Sequence, residues 1–99
     1  MEINELQKKS AEIISKIDEK LNTKHTDENT IIHLTEELGE IARQINNKNI
    51  RHIEQDKENL AEEIADVIIL TNKLADNYNI NVEKAIENKL NKLKIRHNL

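Results

Sequence analysis

The chain contains no proline, and its one glycine, Gly39, lies inside a helical hydrophobic pattern. Proline and glycine supply most tight turns and helix stops, so almost none of the usual turn punctuation is present. Long helices joined by short polar connections follow. Phe and Trp are absent and Tyr78 is the one aromatic residue, which leaves Ile, Leu, Val and Ala to fill the interior, a composition suited to interlocking helices. An all-α, four-helix bundle-like fold is predicted, with residues 1–99 as one domain.

Apolar spacing and capping residues set the boundaries. The first helix is predicted over about residues 2–21, with Ile3, Leu6, Ile13, Ile17 and Leu21 on its inner stripe. The polar stretch 22–26 ends it. Thr26 is placed to cap a second helix from Asp27, with Asp27 and Glu28 at the positive end of the helix dipole. Ile31, Leu34, Leu38, Ile41, Ala42 and Ile45 form its predicted buried face. A polar connection over about 46–56 leads to a third helix, capped by Asp56 and running to about Tyr78. From Ile64 to Leu70 the apolar residues run nearly all the way round, which predicts the central helix or part of a dimer interface. Asn81 caps a fourth helix with Val82, Ile86, Leu90 and Leu93 inward and a basic tail.

Several functional classes are excluded at this stage. There is no cysteine, hence no disulfide, thiolate catalysis or Cys-based zinc site. The longest apolar run is far too short to cross a bilayer, and the N-terminus lacks the pattern of a secretion signal; a cytoplasmic protein with no membrane partner is predicted. The net charge of −4 disfavours binding of a nucleic acid polymer, while leaving room for a local basic strip that holds a phosphate-bearing small molecule.

The most informative motif is an acidic word written twice. Glu36-Glu37-Leu38-Gly39-Glu40-Ile41 is followed 26 residues later by Glu62-Glu63-Ile64-Ala65-Asp66-Val67. At about 100° per residue, Glu37 and Glu40 lie within ~60° of each other on the flank of one apolar stripe, and Glu63 and Asp66 repeat the arrangement. If the two helices pack antiparallel, four carboxylates converge. Such a group repels itself unless neutralised, and an all-oxygen set favours a hard cation such as Mg²⁺, with Mn²⁺ a possible substitute, over zinc or copper. Gly39 in mid-helix costs roughly 1 kcal/mol relative to Ala, which predicts a packing reason for it. His33 and Gln44 share the flank of Glu37 and Glu40.

At these residues the chain resembles the MazG-like all-α nucleoside triphosphate pyrophosphohydrolases, a superfamily that also includes the dimeric all-α dUTPases. Their hallmark is Glu-Glu-x-x-Glu, a variable spacer and Glu-x-x-Asp; here it reads Glu36-Glu37-Leu38-Gly39-Glu40, twenty-two residues, and Glu63-Ile64-Ala65-Asp66. The resemblance covers about residues 28–97. It implies Mg²⁺ ligation by Glu37, Glu40, Glu63 and Asp66, and a role for Glu36 in assisting the metal site or activating water. It also implies that the fourth helix, through Lys89, Asn91, Lys92 and Arg96, contacts the phosphates. The implied reaction cleaves a nucleoside triphosphate to the monophosphate and pyrophosphate, and the implied assembly is a homodimer or tetramer. One departure is visible: no aromatic ring for stacking a base lies near the motif.

Two other readings compete. A solvated acidic face on a noncatalytic, dimeric helical interaction module explains Glu-rich helices without chemistry. A di-iron bundle requires Glu-x-x-His pairs, and no His stands three residues after Glu37, Glu40 or Glu63.

Overall fold

The computed structural model describes residues 2–99, which form four helices: α1 Ile3–Leu21, α2 Asp27–Asn49, α3 Lys57–Asn77 and α4 Val82–Arg96. The three capping residues expected from the sequence act as caps. Thr26 accepts from the Asn29 amide (3.2 Å), Asp56 from that of Asn59 (3.1 Å) and Asn81 from that of Lys84 (3.0 Å), each satisfying an amide that lacks an intrahelical partner. α1 ends at Asn22 in the left-handed region (φ 53°, ψ 46°), a conformation asparagine tolerates better than most residues. α2 runs about a turn further than its apolar pattern indicates, which shortens the connection to α3 to residues 50–56.

α3 is the central helix, packed against both α1 and α2, while α4 packs on α1. The α1–α4 contact is held by a buried amide. Gln7 donates to the Ile80 carbonyl (2.7 Å) and accepts from the Val82 amide (3.1 Å), so it bridges both sides of the turn before α4. In the same turn, Tyr78 donates to Asp27 at 2.5 Å, tying the end of α3 to the start of α2.

The core is smaller than the sequence stripes imply. Ala11, Ile14 and Leu70 are its buried apolar residues, joined by Gln7, Ser10, Thr30 and Asn72. In α1 the buried set 7, 10, 11 and 14 is rotated by about one residue, roughly 100°, from the expected stripe. The small residues Ser10 and Ala11 face the interior, and Ile13, Ile17 and Leu21 stay largely exposed. The predicted buried faces of α2 and α4 are likewise open: Ile31, Leu38, Ile45, Ile86 and Leu90 are each more than two-fifths exposed. The reason is architectural. With α4 lying on α1, the chain offers no helix layer to cover the outer faces of α2 and α4, so this arrangement is less closed than a four-helix bundle.

Global dimensions agree. The radius of gyration is 16.1 Å, against about 13 Å for a compact chain of 100 residues. The accessible surface is 7918 Å², whereas a folded monomer of 11.5 kDa exposes about 5,800 Å².

Candidate metal centre and adjoining cleft

The α2–α3 pairing brings together three carboxylates. Glu37 from α2 and Glu63 and Asp66 from α3 each offer an oxygen within 4.8 Å of the others. Glu37 and Glu63 are half-buried and Asp66 is exposed, so one side of the group is walled by protein and the other is open. The Glu63 Oε2 atom is buried and has no hydrogen-bond partner among the described residues. A buried carboxylate oxygen without a donor is costly, and a cation held between the three acids would supply the missing charge.

The electrostatics show the same crowding. Hydrogen bonding to Glu63, burial, and the negative charges of Glu63 and Asp66 push the Glu37 carboxyl up to about 7 from its ordinary 4.5. Below about pH 7 the three acids without a cation therefore share an extra proton. Hard oxygen donors of this kind, half-walled and partly open, fit a divalent cation that retains water on its open side.

The other predicted site residues lie apart from this group. Glu40 is exposed one turn beyond Glu37, and its nearest charged partner is Arg43 at 4.0 Å. Glu36 is exposed, as are Lys89, Asn91, Lys92 and Arg96 along α4. Among the described residues none of these five makes a side-chain hydrogen bond or ion pair. Gly39 has no neighbour within 4 Å of where a Cβ would stand, so the packing reason expected for it is not found within this chain.

Two histidines extend the site in a direction the sequence did not indicate. His33 Nε2 lies 3.4 Å from Glu37 Oε1, and His33 Nδ1 lies 3.3 Å from His25 Nε2. His25 Nδ1 meets Asp18 Oδ1 at 2.8 Å, and the same carboxylate accepts from the His25 amide (2.9 Å) and the Thr23 hydroxyl (2.8 Å). Burial alone would raise the Asp18 carboxyl, yet the bonds from the His25 ring, Thr23 and the His25 amide hold it below its ordinary value. His25 Nδ1 thus donates to Asp18, and one proton lies between His25 Nε2 and His33 Nδ1, carried by whichever ring the tautomer assigns. The sequence places His33 on the flank of the acidic word and gives no signal for Asp18 or His25. They meet because the left-handed turn at Asn22 folds the loop back on α1, which no periodicity encodes.

Gln44, the other flanking residue, lies instead in a separate depression with Asn47, Ile53 and Asp56, its Oε1 buried without a partner. Beside the acids opens a cleft of about 260 Å³. Ile13, Ile14 and Ile17 of α1 and Ile69 and Leu70 of α3 form its apolar walls, with His25, His33 and Asp66 at its polar edge. The residues that left the expected core of α1 thus line the cavity next to the acids.

An all-α scaffold that gathers carboxylates from two paired helices is an arrangement by which a class of helical proteins can hold a cation. Comparison narrows the class: the family model described as the MazG nucleotide pyrophosphohydrolase domain matches residues 25–99, and the chain belongs to that family. No curated protein and no solved structure matches the chain. The family match begins after α1, so Ile13, Ile17 and Asp18 lie outside it. Among the described residues, no helix is long and apolar enough to cross a membrane.

Proposed function

We propose that this protein is a Mg²⁺-dependent nucleotide pyrophosphohydrolase, with Mn²⁺ as a substitute metal, that acts in the cytosol and converts a nucleoside triphosphate to its monophosphate and pyrophosphate. The observation that carries the reading is the meeting of Glu37, Glu63 and Asp66 within 4.8 Å in a chain of the MazG family. Glu37, Glu63 and Asp66 hold the cation, and Glu40 joins them by swinging in from its exposed position one turn away. When bound, the metal neutralises the phosphates and acidifies a coordinated water.

The chain's own residues then divide the work. The aliphatic cleft takes the nucleoside, excluding water from its apolar parts, while the absence of an aromatic ring near the acids leaves the base unstacked. Glu36 is the candidate acceptor for the attacking water's proton. Lys89, Asn91, Lys92 and Arg96 bind the phosphates; Lys89, Lys92 and Arg96 stand at i, i+3 and i+7, along one edge of α4. Because α4 packs on α1 and leaves these side chains in solvent, a second copy of the chain is the natural source or recipient of that contact.

Association into a dimer or tetramer is part of the proposal. The surface excess of roughly 2,000 Å² over a compact monomer is comparable to the area buried in an obligate dimer interface. It includes half-exposed Leu38 and Ile45 on α2 and Ile64 and Ile68 on α3. Sedimentation is expected to show a dimer or larger species at micromolar concentration, converted to monomer by Ile68→Asp; a wild-type monomer overturns the assembly. A panel of nucleoside triphosphates with Mg²⁺ tests the reaction: pyrophosphate and monophosphate are expected from at least one. If millimolar Mg²⁺ or Mn²⁺ gives no thermal stabilisation and no triphosphate is cleaved, the noncatalytic helical module becomes the better reading.

A further inference from the structure

Glu37 and Glu40 begin as equals on α2, yet one sits in the acid group and the other in solvent. A chain of contacts reaches Glu37 and stops short of Glu40. Glu37 is contacted by His33, His33 by His25, and His25 is gripped by Asp18 through both its ring and its backbone amide. Among the described residues, Glu40 has only Arg43 at 4.0 Å.

We propose that Asp18 and His25 are positioning residues which, through His33, fix the Glu37 carboxylate in the orientation that meets Glu63 and Asp66. The role rests on the metal reading above. Asp18 is suited to be the fixed end: its side chain is largely buried, it accepts three hydrogen bonds, and it stands on α1, which packs against the same α3 that carries Glu63 and Asp66. His25 sets the spacing, because its two ring nitrogens face opposite partners and one imidazole spans the gap between Asp18 and His33. The rings of His25 and His33 lie 5.5 Å apart between centroids, tilted by 33°, so the pair forms a continuous polar edge to an otherwise aliphatic cleft. Outer partners that orient ligating side chains commonly govern metal affinity by about 10- to 100-fold. Of its residues, Asp18 stands on α1, outside the stretch matched by the family model, and His25 and His33 lie within it.

The same contacts also close that loop, and the test separates the two roles. Asparagine places an amide where the His25 Nδ1 stands, so His25→Asn can keep the bond to Asp18 while losing the reach to His33. Mn²⁺ affinity is measured by calorimetry on metal-free wild-type protein, His25→Asn, His33→Ala and the double variant, with thermal midpoints and helicity recorded for each. Positioning predicts that His25→Asn weakens Mn²⁺ binding about tenfold with helicity kept. It also predicts that the double variant binds no more weakly than His33→Ala alone, since both changes cut one chain of contacts. Binding by His25→Asn within about twofold of wild type, or losses that simply add in the double variant, overturns the positioning role and leaves the metal reading standing. Wild-type protein that binds no Mn²⁺ overturns both.

Discussion

The acid pair of α2 and that of α3 share their spacing, their flank beside an apolar stripe and a small residue at the third position, Gly39 or Ala65. In the folded chain they part company. Both members of the α3 pair reach the acid group, whereas from α2 only Glu37 does. α3 is packed between α1 and α2, which leaves Glu63 half-buried with Asp66 at the open side next to it; α2 lies at the edge and packs chiefly on α3. A carboxylate at the edge needs a reason to turn inward. Glu37 has one in His33, and Glu40 has none. Identical local wording therefore gives different chemistry according to how many layers cover it.

The largest expected effect tests the α3 side. Asp66→Asn removes a charged donor from the group itself, and Mn²⁺ affinity and pyrophosphate release should each fall by more than about 100-fold, beyond the range typical of outer partners. Retention of both activities in this variant breaks the comparison at its root.

Protonation of Glu37 tests the α2 side. Its folded carboxyl titrates near 7 against an ordinary 4.5, with Glu63, Asp66 and His33 facing it, so between those values the metal-free folded state binds more protons than the unfolded chain. Stability without metal is expected to fall as pH rises through this window and to level off above about pH 7. Metal binding must displace the proton, so its pH dependence runs the other way. Below pH 7 Mn²⁺ affinity should drop by up to about tenfold per unit, read by titration calorimetry at several pH values.

Glu40→Gln measures how far the two glutamates differ. An exposed glutamate recruited to a cation loses up to about 2 kcal/mol of side-chain freedom, which offsets much of its contribution. A loss of about tenfold in Mn²⁺ affinity is expected, well short of the Asp66→Asn effect. An equal loss would show that Glu40 is as firmly part of the bound site as the α3 pair.

The smallest effect concerns the residues at the third position. Because a Cβ at Gly39 meets nothing within this chain, Gly39→Ala should raise the stability of the free subunit by about 1 kcal/mol, making α2 match α3 at this position. Denaturant unfolding measures it. A stabilised subunit with weakened self-association would locate the second copy against this part of α2.

Much of the fold was legible because its signals are local. Thr26, Asp56 and Asn81 identified helix starts through bonds made within three residues, and the apolar girth of residues 64–70 identified α3 as central. The stripes of α1, α2 and α4 were less informative about burial. Periodicity shows which residues share a face, and it does not show whether another element arrives to cover that face. For the same reason Ile13 and Ile17 read as core and stand instead beside the acids, lining the cleft.

By itself the sequence determined an all-helical chain, its capping points, and a duplicated acidic word in register with two apolar stripes, since each depends on neighbours within a turn or two. Tertiary structure alone decided which acids meet, because convergence depends on the packing of α2 against α3. It also decided that Asp18 and His25 belong near the site: a carboxylate on α1 and a loop imidazole seven residues later become partners only when the turn at Asn22 brings the loop back.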